Sequence, residues 1–198
     1  ADEQEGNALA MLDTVNVGEA RIQELCARYG TATIEDCRDE LLDRTERALR
    51  AAIRRLPQGE YYVEHYCDNT GITPDPVALR IRMSARGDHL LFDFTGTSAE
   101  FEGPMNVGPA VTQAGVFVIA KAWLDPHTPV NGGTFRPLQF VLPKGTVINA
   151  NPPRAVAGVW ELYRKIQSAV AGIFSQALPE DAGGGAMETI NHVYIAGF

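Results

Sequence analysis

Clustered positive charge is lacking in this 198-residue sequence, in which 17 Lys and Arg residues face 25 Asp and Glu residues for a formal net charge of −8. Because binding to nucleic-acid phosphates needs concentrated Lys and Arg, we expect no nucleic-acid partner. Long hydrophobic runs are also missing. The longest apolar stretch, 110–124, is interrupted by Thr112, Gln113 and Lys121 and is too short to cross a bilayer, so we expect no membrane-spanning segment.

Cysteine is scarce, with Cys26, Cys37 and Cys67 alone. An odd number leaves one thiol unpaired in any disulfide scheme, and Cys-x-x-Cys is absent, so we expect buried reduced thiols rather than a redox or zinc site. The N-terminal residues lack the basic and apolar segments of a secretory signal, which predicts a cytoplasmic protein. Because the sequence has no initiator Met and ends on the apolar run 193–198, we expect a segment of a longer chain.

Motifs of nucleotide binding and nucleophilic catalysis are missing too. The sequence contains no phosphate loop, no Gly-x-Gly-x-x-Gly and no Gly-x-Ser-x-Gly, so the catalytic residues remain unknown. The four histidines lie far apart without a His-x-x-x-His pair, and we expect no metal site in this stretch. His89 and Asp93 share a strand face but stand about 13 Å apart, too far to share one ion.

Hydrophobic periodicity predicts an α+β fold, with an antiparallel sheet or meander packed against amphipathic and buried helices. Helical spacing over 10–29 ends at Gly30, and a second helical stripe from Thr33 ends before Pro57. Beyond Gly59 the apolar residues alternate with a period of two, which is typical of strands. We expect one segment, 1–198, with three parts: a helical part at 1–58, a sheet with a central helix at 59–158, and a helix with a tail at 159–198.

Two loops are candidate sites for binding or for ordering a site. The first follows the strand 89–94 and leads toward the apolar helix, where free backbone N–H groups favour anions. Its Thr95-Gly96-Thr97 turn has two possible roles. It could be structural, with the glycine permitting an unusual backbone angle and the threonines closing the turn, or it could contact a ligand; the structural role is favoured. In the second loop, an arginine could hold a carboxylate or phosphate, or be a structural partner of backbone carbonyls or of a partner acid. The candidate residues are Asp93, Thr95, Gly96, Thr97 and Asn106 in the first loop, and Asn131, Phe135 and Arg136 in the second.

These same residues resemble the hydantoinase B family, which includes the second subunit of ATP-dependent hydantoinases and the C-terminal half of 5-oxoprolinase, with ketone carboxylase subunits as relatives. Each short motif is weak alone, but their order over most of the chain is specific. The motifs are Arg28-Tyr29-Gly30, Leu56-Pro57-Gln58-Gly59, Asp93-Phe94-Thr95-Gly96-Thr97-Ser98, Gly103-Pro104-Met105-Asn106-Val107, Gly133-Thr134-Phe135-Arg136-Pro137 and Pro143-Lys144-Gly145-Thr146.

The resemblance implies an enzyme subunit that takes part in the ATP-dependent opening of a cyclic amide. ATP and Mg²⁺ would be bound by a partner of the hydantoinase A type in a hetero-oligomer. The divalent metal of the family would lie outside this segment, in a more N-terminal stretch that nothing here matches. Two alternatives stay open, a subunit of an ATP-dependent ketone carboxylase and a non-catalytic scaffold domain.

Overall fold

A computed structural model describes residues 2–184 of the chain. These residues form four α-helices, four β-strands and a short 3₁₀ helix, which confirms the predicted α+β class. The chain divides into two compact units, Ala1–Arg44 and Thr45–Phe198, and its organisation as one segment stays a prediction. The elements in chain order are α1 Asp2–Tyr29, α2 Thr31–Ile53, β1 Gly59–Cys67, β2 Val77–Arg86, β3 His89–Asp93, α3 Pro109–Leu124, β4 Leu138–Val141, α4 Val159–Ala177 and the 3₁₀ helix Pro179–Asp181.

The first unit contains α1 and the beginning of α2. Gly30 separates the two helices with a positive φ of 84°, and its backbone N–H donates to the carbonyl of Cys26 at 2.8 Å, as expected for a glycine that ends a helix. From residue 3 onward, every side chain of α1 except that of Cys26 is exposed, including large apolar residues such as Met11 and Val15. The predicted helix over 10–29 is confirmed and begins earlier than expected.

The sheet has the strand order β1-β2-β3-β4. Strands β1, β2 and β3 form an antiparallel meander, which confirms the predicted one, with Glu64 opposite Arg80 and Arg82 opposite Asp93. Strand β4 lies parallel to β3, with Leu138 opposite Leu90, so the sheet is mixed. The pair is parallel because α3 lies between β3 and β4 in the sequence, and this helix brings the chain back to the end of the sheet where β3 begins. Residue alternation alone does not reveal strand direction.

One face of the sheet is apolar and is covered by helices. Ile81, Met83 and Phe92 on this face are fully buried. Helix α4 packs on β1 and β2, and α3 packs against α4. The helices approach closely at Gly115, where an added Cβ would lie 2.8 Å from Cγ2 of Ile166. The opposite face of the sheet carries mostly polar side chains, as expected for an antiparallel sheet with one buried side.

Two expectations about composition can be compared with the structure. Within residues 2–184, no helix is long and apolar enough to cross a membrane. The three cysteines are free thiols, but the expectation that they are buried is wrong for Cys37, because this residue lies on an exposed part of α2. Cys67, at the end of β1, is buried.

Candidate functional site

The first predicted loop begins as a corner that continues the hydrogen bonding of β2 beyond the end of β3. The hydroxyl of Thr97 accepts a hydrogen bond from the backbone N–H of Arg80 and donates to its carbonyl, both at 3.1 Å. Ser98 pairs in the same way with Ala78, using its hydroxyl and its backbone N–H, both at 2.9 Å. The corner therefore takes the place of a strand along this part of β2.

The remaining residues of the corner have local partners. The carboxylate of Asp93 accepts a hydrogen bond from the backbone N–H of Thr95 at 2.8 Å. Gly96 has a positive φ of 92°, and its carbonyl accepts from Nη1 of Arg80 at 2.6 Å. These contacts explain why an Asp and a Gly occupy the turn, since Asp closes a turn through its side chain and Gly tolerates a left-handed backbone.

Asn106 is the best-connected side chain of the first loop. It is fully buried, and its Oδ1 accepts from the backbone N–H of Phe101 at 3.2 Å. Its Nδ2 donates to the carbonyls of Phe101, Gly103 and Ala155 at 3.0, 3.1 and 3.2 Å. Because Gly103 and Ala155 lie on different segments of the chain, one amide fixes the spacing between those two segments.

A cavity of about 510 Å³ opens next to this amide. Gly103 and Ala155 both line it, so Asn106 holds two of its walls together. The lining combines acidic and basic side chains with two consecutive prolines. It consists of Glu100, Glu102, Gly103, Asn151, Pro152, Pro153, Arg154 and Ala155.

The carboxylate of Glu100 connects the two sides of this cavity. It accepts a hydrogen bond from the backbone N–H of Asn151 at 2.6 Å and lies 3.5 Å from Nε of Arg154. Arg154 also lies 3.7 Å from the exposed carboxylate of Glu102, and about a third of its own side chain is accessible, at 37%. The cavity thus presents one accessible guanidinium flanked by two carboxylates, a set that can hold a polar ligand with both donors and acceptors.

The second predicted loop is organised around Asn131 and Phe135. Oδ1 of Asn131 accepts from the hydroxyl of Thr45 at 2.6 Å and from the backbone N–H of Gly133 at 2.9 Å. The ring of Phe135 stacks on Phe117 of α3 with centroids 4.0 Å apart. The loop is therefore tied to α2 through a hydroxyl and to α3 through an aromatic pair.

Arg136 belongs to a charged network at this end of the molecule. Its Nη1 lies 2.9 Å from the carboxylate of Glu46, which Arg50 also contacts at 2.8 Å. These two hydrogen bonds, that of Arg136 first, hold the pKa of Glu46 below its usual value. Arg50 reaches onward to Asp88 at 2.9 Å. Arg136 thus has a protein acid as a partner, one of the two alternatives open from the sequence.

The structure places the two predicted loops at opposite ends of β3. The backbone N–H of Leu90, near the start of β3, donates to the carbonyl of Pro137 at 3.1 Å, whereas Phe94, beyond its end, donates to Val141 at 3.0 Å. The loops therefore do not converge on one cavity. Asp93 instead lines a separate depression of about 370 Å³ on the polar face of the sheet, together with residues such as Arg82 and Gln139.

Sequence reasoning missed the charged residues of the larger cavity. Glu100 and Arg154 are 54 positions apart and belong to no recognised motif, so their proximity follows from tertiary structure alone. The one available signal was Asn151-Pro152-Pro153-Arg154, a rigid segment with a terminal Arg. Within residues 2–184, no group of three or more His, Cys, Asp or Glu side chains could hold a metal ion.

Comparison with known proteins identifies the family. A model described as hydantoinase B/oxoprolinase matches residues 1–198. The chain belongs to the hydantoinase B/oxoprolinase family. This assignment confirms the resemblance inferred from the ordered loop motifs.

Similar members of the hydantoinase B/oxoprolinase family include named enzyme subunits. The B-type subunit of a putative D-/L-hydantoinase from Pseudomonas sp. is 28% identical, with 91% of this chain and 32% of the relative covered. The acetophenone carboxylase delta subunit from Aromatoleum aromaticum is 25% identical, with 95% and 28% covered. The crystal structure of the ATP-dependent caprolactamase from Pseudomonas jessenii matches with a TM-score of 0.82 and 27% identity, over 89% of this chain and 31% of that chain. The chain spans about a third of the length of these relatives.

Proposed function

We propose that this chain is the segment of a B-type subunit of an ATP-dependent cyclic amide hydrolase that contributes part of the substrate cavity and of the subunit contacts. The observation that carries the proposal is the family match over residues 1–198, supported by the likeness to an ATP-dependent caprolactamase. The hydantoinase and acetophenone carboxylase relatives are each named as one subunit of a larger enzyme, which supports a hetero-oligomer.

In this proposal the 510 Å³ cavity is this segment's part of the substrate cavity. Arg154, which is partly accessible and faces Glu100, would orient an amide or carboxylate group of the substrate through charge-assisted hydrogen bonds. Asn106 acts behind the lining as a positioning residue, because its amide sets the distance between Gly103 and Ala155. Asp93, Thr95, Gly96 and Thr97 order the adjoining corner.

The second loop has a different role in the proposal, that of a subunit contact. Asn131, Phe135 and Arg136 order a charged surface at the opposite end of β3, away from the cavity. Its partner would be a subunit of the hydantoinase A type, which would bind ATP and Mg²⁺. As the family resemblance implies, the divalent ion would be bound by other parts of the enzyme.

The test uses the complete B-type subunit that carries this segment, reconstituted with its A-type partner. Arg154→Ala should lower kcat/KM for ATP-coupled lactam hydrolysis by about tenfold, the effect of losing roughly 1.4 kcal/mol of substrate binding. Assembly should be unchanged. Arg86→Ala removes an exposed arginine that is likewise paired with a glutamate, and it should leave both measurements unaffected.

Two further variants separate the loops. Asn106→Ala should reduce turnover, whereas Arg136→Ala should weaken assembly with the A-type subunit. Undiminished turnover with Arg154→Ala and Asn106→Ala would refute the cavity assignment. Undiminished assembly and turnover with Arg136→Ala would refute the contact assignment. If every variant loses assembly, and turnover falls only in proportion to the assembled complex, a scaffold domain would be favoured.

A ketone carboxylase is the second candidate function, favoured by the match to the acetophenone carboxylase delta subunit over 95% of this chain. The two candidates differ in substrate, since one enzyme opens a cyclic amide and the other adds a carboxyl group to a ketone. The reconstituted complex would be supplied with ATP and either a lactam or a ketone with bicarbonate. Product from the ketone with bicarbonate, and none from the lactam, would replace the first proposal with the second.

A further inference from the structure

A depression of about 370 Å³ lies on the polar face of the sheet, separate from the cavity of the proposed function. Ser84 on β2 and Leu91 on β3 stand directly opposite each other, and both line it. Neighbouring side chains such as those of Arg82 and Glu60 are longer, so Ser84 and Leu91 form the floor. The volume falls within the range of small-molecule sites. A hydroxyl and an apolar side chain inside a charged rim are thus available to a small ligand.

Ser84 is the most informative residue of the depression. Its side chain is more than nine-tenths buried, with 9% exposed, although it belongs to the polar face of the sheet. No group within residues 2–184 donates a hydrogen bond to its hydroxyl or accepts one from it. Burial of a hydroxyl without a hydrogen bond costs free energy. Since the hydroxyl lines the depression, its partner has to come from there.

Two opposite charges stand beside this hydroxyl without neutralising each other. Arg82 is paired with Asp93 in the register of β2 and β3, but in the described part of the chain no acid lies within ion-pair distance of its guanidinium. One oxygen of Asp93, Oδ1, accepts from the backbone N–H of Thr95, which leaves Oδ2 available. The depression therefore offers a cation and an anion to a ligand that carries both signs of charge.

The remaining charged side chains of the rim are engaged within the protein. Glu60 and Arg86 are paired with each other at 3.2 Å. Nε2 of His89 lies 2.8 Å from Nη1 of Arg50, which belongs to the charged network on α2. Recognition of a ligand consequently depends on the guanidinium, hydroxyl and carboxylate described above.

We propose that this depression binds an ω-amino acid, a molecule in which a methylene chain separates a carboxylate from an ammonium group. The carboxylate accepts from the Ser84 hydroxyl and from Arg82, which lies two residues away on the same face, about 7 Å along the strand and within reach of a long side chain. The ammonium donates to Asp93. Ser84 and Asp93 are diagonal neighbours with Cβ atoms about 7 Å apart, so several methylene groups span them, and these contact Leu91.

The proposed ligand has a place in the reaction of a cyclic amide hydrolase. When water opens a lactam ring, the amide C–N bond breaks, the water oxygen joins the carbonyl carbon and both protons go to the nitrogen. The product is an ω-amino acid, so the depression would be a product site. This product role rests on the proposed function, whereas the binding itself does not.

Isothermal titration calorimetry on the 198-residue chain tests the binding, with 6-aminohexanoate as the probe. We expect saturable binding to one site. Hexanoate and hexylamine each lack one of the two charges, and alanine carries both charges on one carbon. Each should bind at least about tenfold more weakly, since one charge-assisted hydrogen bond is lost.

Three variants connect the binding to the depression. Arg82→Gln and Asp93→Asn should each weaken binding of 6-aminohexanoate about tenfold or more. Asn at position 93 retains an oxygen for the backbone N–H of Thr95, so the corner is preserved. Arg55→Gln is the matched control, because it removes an exposed arginine outside the depression, and the affinity should not change. Circular dichroism verifies that each variant is folded.

The outcomes separate this proposal from the proposed function. Absence of saturation below about 10 mM overturns the site, as does equal binding of hexanoate, hexylamine or alanine. Unchanged affinity in both Arg82→Gln and Asp93→Asn overturns it too. If 6-aminohexanoate binds as expected but the reconstituted complex hydrolyses no lactam, the site stands and only its product role is lost.

Discussion

Replacing Asn106 with Ala should destabilise the chain strongly, because one buried amide satisfies four backbone groups. The variant loses the acceptor of the Phe101 N–H and the donor to the carbonyls of Phe101, Gly103 and Ala155. A buried donor left without a partner costs about 1–3 kcal/mol, and each lost hydrogen bond costs about 1 kcal/mol. The carbonyl of the exposed Ala155 regains water, so we expect a total of about 2–4 kcal/mol.

The matched control is Asn149→Ala. The side chain of Asn149 is half-buried and donates one hydrogen bond, to the carbonyl of Leu142 at 2.8 Å, so its loss should cost about 1 kcal/mol. Urea unfolding followed by circular dichroism and tryptophan fluorescence gives both free energies of unfolding. If Asn106→Ala costs no more than Asn149→Ala, the assignment of Asn106 as the residue that spaces the cavity walls is refuted.

Four further substitutions probe other parts of the second unit. Lys121→Met should lower the free energy of unfolding by roughly 2–3 kcal/mol in urea titrations, because it leaves the largely buried Asp125 without its cation. Burial raises the pKa of Asp125, but the hydrogen bond from Lys121 helps to lower it below its usual value. This pair therefore stabilises the chain above about pH 4, and the stabilisation is lost as the pH falls further. The difference in free energy of unfolding between the wild type and Asp125→Asn should shrink over the same pH range. Gly158→Ala should cost more than about 2 kcal/mol, since its Cβ would lie 2.1 Å from the carbonyl oxygen of Met105, whereas Gly108→Ala meets open space and should retain the wild-type melting temperature.

Local pattern was sufficient to predict the meander and its buried face. Leu90, Phe92 and Phe94 alternate with His89, Leu91 and Asp93, and the first three are fully buried. Such alternation reports which side of a strand faces the core, because successive side chains point to opposite faces. The same pattern contains no information on which strand lies beside which. The parallel pairing of Leu138 with Leu90 depends on α3 and could not be predicted from periodicity.

The candidate site was less predictable than the fold. The polar residues of the two loops were found because turn residues and ordered motifs stand out locally. The separation of the two loops, and the cavity between Glu100 and Arg154, depend on contacts between distant segments. Even Asn106, which the motif did indicate, acts through Ala155, 49 positions further along the chain. Spacing in the sequence does not encode such contacts when one sequence is considered alone.

The Thr97 hydroxyl that bonds to Arg80 has a consequence for amide exchange. The Arg80 N–H is protected from solvent by a single side chain rather than by a neighbouring strand. Its deuterium uptake should therefore report the opening of the corner and not the separation of the sheet. The amide of Phe92, which is directed toward the paired strand β4, provides the reference for the sheet itself. Exchange at one backbone amide thus measures the motion of the loop that leads to the cavity.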